Sequence, residues 1–147
     1  MINDFEIAQK MEEFNYEMKR WTKKFFKNYF TNSNLEATPS QYPLLFILKE
    51  YGPVKMKELS EHMNITTGSL TVMVDRLIEK KLVERFFLPE DRRVVMVRLT
   101  EKGYDEINNF RKVFIDYIVD KVKDLSDKEK EELIYCLDFI REKVLKK

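Results

Sequence analysis

The chain has 147 residues, 44% of them apolar and 36% charged, with only three glycines. That fits one helix-rich domain with a real core and excludes a disordered chain, a fibrous chain or a second independent core. Its 27 basic and 26 acidic residues leave a formal net charge of +1, so bulk charge selects no partner and only the local placement of cations can.

The opening MINDFEIAQK mixes charged and apolar residues, and no apolar run approaches membrane-spanning length; the expectation is a cytoplasmic protein with no membrane partner. The single cysteine, Cys136, excludes an internal disulfide, and His62 is the only histidine. A histidine-based metal site or a catalytic triad is therefore hard to assemble, and no glycine-rich phosphate loop or nucleophile with a base is present. The reading is of a non-enzyme with no cofactor, no metal and no catalytic residue.

In chain order, Ile7, Met11, Phe14, Met18, Trp21 and Phe25 recur at spacings of four and three, along one face of a long helix. Phe26, Tyr29 and Phe30 extend the apolar surface to a break at TNSN. A seam this long in a chain with few elements to cover it predicts a subunit interface. Thr38 to Gly52 reads as a punctuated helix: Thr38 as cap, Pro39 at the first position, Gln41 closing a capping box, and Gly52-Pro53 as the stop. Its almost all-round apolar surface, with Tyr42, Leu45, Phe46, Ile47 and Leu48, predicts burial between other elements.

Lys55 to Met63 is a short amphipathic helix with Met56, Leu59 and Met63 inward. Asn64 tolerates the left-handed backbone of a tight turn, which Ile65 plugs. Thr66 or Thr67 can cap the next helix, which buries Leu70, Met73, Val74, Leu77 and Ile78. This is the spacing of a helix-turn-helix. The outer face of its second helix carries Thr67, Gly68, Ser69, Thr71 and Val72, small groups that let a helix sit deep in a major groove and meet base edges, the thymine methyl or phosphates.

From Val83 to Leu99 the period changes to two: Val95, Val97 and Leu99 alternate with Val94, Met96 and Arg98. Pro89, Glu90, Asp91 and Arg92 mark the tip of a hairpin wing. Arg92 and Arg93 near that tip are placed to enter a minor groove or grip its phosphates, with Asp91 close enough to hold one guanidinium. Thr100 then caps a long helix with Ile107, Phe110, Phe114, Tyr117, Ile118, Val122 and Leu125 at helical spacing. Ser126 to Glu129 is a second capping box, opening a last helix striped by Leu133, Leu137, Ile140 and Val144. Cys136 beside that stripe reads as inert packing.

The run LPEDRRVVMVRLTEKG resembles the wing signature of the multiple-antibiotic-resistance regulator (MarR) family, through Asp91, Arg93, Val95, Val97, Leu99, Thr100 and Gly103. The preceding LTVMVDRLIEKKLVER is similar to that family's recognition helix and first wing strand, through Leu70, Thr71, Asp75, Arg76, Leu77, Leu82 and Val83. Two positions depart from the pattern. Val72 stands where many members carry a basic residue, and Lys81 stands where a glycine commonly ends the recognition helix. A left-handed backbone at Lys81 would strain it by roughly 1 kcal/mol.

The resemblance implies a mainly α fold with a small two- or three-stranded β wing, a winged helix-turn-helix joined to a helical dimerisation arm. Residues 1–35 would be an N-terminal dimerisation helix, 36–100 the DNA-binding region and 101–147 C-terminal dimerisation helices of one overall domain. It further implies a homodimeric repressor on a palindromic operator, released by a small aromatic or anionic effector. The DNA-binding set is Thr66, Thr67, Gly68, Ser69, Thr71, Arg76, Asp91, Arg92 and Arg93, with Arg76 entering through the resemblance. Trp21, Phe25, Tyr42 and Phe46 read as core rather than effector contacts. Redox-sensing relatives carry a cysteine on the first helix, which is absent here, and a single histidine is a poor match to zinc-responsive ones. The alternative is a winged-helix module that binds protein rather than DNA.

Overall fold

A computed structural model describes residues 3–146, which fall into two compact units, divided between residues 113 and 114. In the first unit α1 (Asp4–Asn28) begins where the side chain of Asn3 accepts the Glu6 N–H at 2.8 Å. Ile7, Met11, Phe14 and Met18 along its seam stay exposed, and only Phe25 is buried. A tight 3-10 turn, Phe30–Asn32, follows. Rings from three segments then converge: Phe110 lies 4.3 Å from Tyr42, 5.6 Å from Phe46, 6.0 Å from Phe25 and 6.3 Å from both Phe26 and Phe30.

Helix α2 is Tyr42–Tyr51, three residues shorter at its start than the sequence predicts. Gln41, not Thr38, is the N-cap, and the proline of the first turn is Pro43. Residues 38–41 instead form a turn, closed by the Gln41 N–H to the Thr38 carbonyl at 2.9 Å. The expected reach-back survives, because Gln41 Oε1 accepts the Thr38 N–H at 3.0 Å, but the Thr38 hydroxyl pairs with Ser40. Nor is the helix buried all round: Tyr42, Leu44, Leu45 and Leu48 are buried while Phe46 is 39% exposed. Gly52, at φ 74°, ends it as expected.

Three short elements follow in quick succession: β1 (Val54–Lys55), α3 (Met56–Met63) and α4 (Thr67–Glu79). The strand β1 was not legible as a separate element. It pairs antiparallel with β3 (Val95–Leu99), Val54 opposite Val97, while β2 (Val83–Phe87) pairs along the other edge, Val83 opposite Leu99. The wing is thus a three-stranded sheet of order β1-β3-β2. Leu44, Leu45, Leu48, Leu59, Leu70, Leu77 and Val97 are fully enclosed, each contributing roughly 1.5–3 kcal/mol by burial.

Two left-handed residues set the ends of α3 and α4. Asn64, at φ 52°, ends α3: its N–H reaches the Glu61 carbonyl and that of Ile65 reaches Ser60. Lys81, at φ 61°, does the same for α4: its N–H reaches Ile78 at 2.8 Å and that of Leu82 reaches Leu77 at 3.0 Å. This double bond pattern normally takes glycine at the left-handed position. Lys81→Gly should therefore raise stability by up to about 1 kcal/mol in chemical denaturation, the relief of backbone strain being partly offset by a freer unfolded chain.

Helix α5 (Glu101–Val122) is capped by Thr100, whose Oγ1 accepts the Gly103 N–H at 3.0 Å and donates to the Lys81 carbonyl at 2.6 Å. In the second unit, α6 (Asp127–Ile140) opens with the complete Ser126–Glu129 capping box and runs on as a π-helical turn, Arg141–Leu145. The Ser126 hydroxyl and then its N–H hold the Glu129 carboxyl below the usual carboxylate range. No described residue of α6 is buried, and Leu133, Leu137, Ile140 and Val144 all face solvent. Cys136 is exposed too, not packed as the sequence suggests, on a helix none of whose described residues is buried. Among the described residues no helix is long and apolar enough to cross a membrane.

Candidate nucleic-acid interface

The first turn of α4 is fixed by its cap. Thr66 Oγ1 accepts the Ser69 N–H at 3.2 Å and donates to Ser69 Oγ at 3.0 Å, which settles the cap as Thr66 rather than Thr67. Thr67, Gly68 and Ser69 are exposed and Thr71 half-buried, its hydroxyl donating to the Thr67 carbonyl at 2.9 Å. Leu70, Val74 and Leu77 point the other way into the core, so this small-residue face is presented outward by the packing of its opposite side. Arg76 is exposed on the same helix, one turn beyond Val72.

At the hairpin, the Leu88 N–H to Val94 carbonyl bond (3.3 Å) and the Val94 N–H to Asp91 carbonyl bond (3.0 Å) close the tip. The guanidinium held by Asp91 is that of Arg93: Nε reaches Oδ1 at 3.1 Å and Nη2 reaches Oδ2 at 3.4 Å, with the Arg93 N–H on Oδ1 at 3.0 Å. These bonds keep the Asp91 carboxyl below the usual carboxylate range, the guanidinium having the larger influence. The Arg93 side chain nonetheless remains 91% exposed. It is an oriented cation offered to solvent, as a phosphate or narrow-groove contact requires. Arg92 is exposed beside it.

Two ties that hold this face together were not read from the sequence. Asp75, on α4, takes the Arg85 guanidinium of β2 at 2.7 Å, joining recognition helix to wing. At the far end of α4, Lys80 Nζ donates to the Glu36 carbonyl at 2.7 Å and to Gln41 Oε1 at 3.1 Å. Lys102 Nζ donates to Glu36 Oε2 at 2.7 Å and to the Lys80 carbonyl at 2.9 Å. Glu106, 6% exposed, accepts from the Tyr42 hydroxyl (2.6 Å) and the N–H groups of Glu36 (2.8 Å) and Ala37 (2.9 Å). One cluster thereby joins the segment before α2, the end of α4 and the start of α5. The only signal available beforehand was Asp75, which lies within the matched motif.

Residues 37–95 match the family described as the MarR family. Among curated relatives, the chain is 28% identical over 123 residues to the uncharacterized HTH-type transcriptional regulator YpoP of Bacillus subtilis, covering 81% of this chain and 87% of that one. It is 36% identical over 82 residues to the HTH-type transcriptional repressor MdtR of the same organism, covering 54% of this chain and 53% of MdtR. Among solved structures, a MarR family protein from Bacillus stearothermophilus superposes with a TM-score of 0.73 at 27% identity, over 99% of both chains.

Proposed function

We propose that this chain is a MarR family member, a reading supported by the match over residues 37–95 and by its relatives, and that it is a homodimeric, sequence-specific DNA-binding transcriptional regulator that acts in the cytoplasm as a ligand-responsive repressor. The observation that carries the reading is the pairing, within one unit, of an outward small-residue face on α4 with an Asp91-oriented Arg93 at the wing tip. In this arrangement α4 enters the major groove, Thr66, Thr67, Ser69 and Arg76 meet bases or phosphates, and Arg92 and Arg93 reach the adjacent minor groove. Relatives named as transcriptional regulators favour this over a module that binds protein alone. Repression is carried over from MdtR.

Dimerisation is supported by two apolar faces left open to solvent: Ile7, Met11 and Phe14 on α1, and Leu133, Leu137 and Ile140 on α6. A second copy would cover them and place two recognition helices on a palindrome whose half-sites lie roughly 34 Å apart. The effector, a small aromatic or anionic molecule, rests on the family resemblance. None of the rings around Phe110 is assigned to it, since their mutual packing already accounts for them.

Arg93→Ala tests the wing. Its ion pair with Asp91 is exposed, so the thermal midpoint should move by less than about 2 °C. Duplex affinity should fall about tenfold or more, with a shallower dependence on salt. Unchanged affinity would remove the wing from the interface.

A further inference from the structure

We infer that Val72 selects the operator by van der Waals contact with the C5 methyl group of a thymine, so that each half-site carries a T·A pair at one fixed position. The inference rests on the DNA-binding reading above. On α4, Val72 shares a face with Gly68 and Ser69 one turn before it and with Asp75 and Arg76 one turn after it. It is 51% exposed, whereas Leu70, Val74 and Leu77 on the opposite side are fully buried. Exposure of a single valine is ordinary. Its surroundings are what give it meaning.

Several of the polar groups around Val72 already hold a partner within the protein. The Thr71 hydroxyl donates to the Thr67 carbonyl, those of Thr66 and Ser69 are paired with each other, and the Asp75 carboxylate is held by Arg85. Gly68 adds a second observation. Its backbone needs no positive φ, and a Cβ built there would meet nothing within 4 Å. Neither conformation nor internal packing calls for a glycine that weakens the helix. What the missing side chain does provide is open space directly beside Val72.

The centre of the reading face is therefore apolar, shallow and stiff. A β-branched side chain in a helix has one strongly preferred χ1, so little freedom is lost when it is pressed against a surface. Valine has no donor or acceptor for purine N7, O6 or N6. The one apolar group on the major-groove edge of the bases is the thymine methyl. Arg76, one turn further along, is left to contact phosphate or guanine.

The test uses the full-length protein and a duplex enriched by it from a random-sequence pool. Each thymine is replaced by uracil, symmetrically in both half-sites, which deletes the methyl and leaves every hydrogen-bonding group. One such pair of replacements should weaken wild-type binding about tenfold and Val72→Ala binding less than about twofold. On the thymine duplex, Val72→Ala should itself bind about tenfold more weakly than wild type, with an unchanged thermal midpoint. If no thymine-to-uracil change affects the wild type, or if each affects both proteins equally, Val72 reads no methyl group. If the wild type enriches no duplex, the DNA-binding reading fails, and this inference fails with it.

Discussion

Gly103→Ala should destabilise the protein by about 3 kcal/mol or more, lowering its thermal midpoint by on the order of 10 °C. A Cβ at position 103 would stand 2.1 Å from the Leu82 carbonyl oxygen and 3.0 Å from Leu99 Cδ2. The first of these is backbone, and it is backbone with two duties. The Leu82 carbonyl accepts the Thr100 N–H at 3.1 Å, and the Leu82 N–H closes the end of α4. Any shift that admits the methyl group also disturbs the recognition helix and the cap of α5, where Gly103 N–H meets Thr100 Oγ1. Gly103 does not have positive φ, so the cost is steric contact and not backbone strain. A midpoint within about 2 °C of wild type in a circular dichroism melt would contradict the close packing of α5 on Leu82.

Glu106→Ala is expected to be about as damaging, at roughly 3 kcal/mol. Its Oε1 is the shared acceptor for the Tyr42 hydroxyl and for two backbone N–H groups, those of Glu36 and Ala37. Removing it leaves three donors in a site where Tyr42 and Ala37 are only 2% exposed. Glu106→Gln keeps a neutral acceptor and should cost less, about 1–2 kcal/mol. The same site sets an alkaline signature. Burial, and then the bond to Glu106, push the Tyr42 phenol well above its ordinary value of 10.0. Below about pH 10 the phenol is neutral in folded and unfolded chains alike and its contribution is complete. Above that, the unfolded chain releases the proton while the folded chain keeps it, so stability falls as pH rises, by about 1.4 kcal/mol per unit. Denaturant midpoints between pH 9 and 11 check this: Tyr42→Phe should lose that part of the slope, and an unaltered slope would contradict it.

Features governed by neighbours in sequence were legible in advance. Asn64 adopts the left-handed backbone expected of its tight turn, Ser126 with Glu129 forms the expected box, and Lys81, where the family resemblance places a glycine, is left-handed too. The outward face of α4 followed from helical period, because burial of Leu70, Val74 and Leu77 leaves Thr67, Gly68 and Ser69 outside. What escaped depends on distant partners. Glu106 reads as a surface acid on an amphipathic helix, and only a segment 70 residues earlier turns it into a buried acceptor. Lys80 and Lys102 look like solvated charges until Glu36 lies between them. Strand β1, two residues long, is too short to show a period and exists because Val97 offers it an edge. At α2 the cap residues were read in their most common roles, but residues 38–41 close on themselves as a turn, Gln41 N–H to the Thr38 carbonyl, which displaces the start to Tyr42.

Sequence-selective reading of DNA is tested most directly by fluorescence anisotropy of the full chain on an enriched duplex and on a scrambled duplex of the same composition, across a salt series. Tight binding to the first alone is expected, with two chains per duplex and a log–log salt slope reporting several phosphates released per complex. Equal affinity for both duplexes, or no binding to either at low salt, would contradict it.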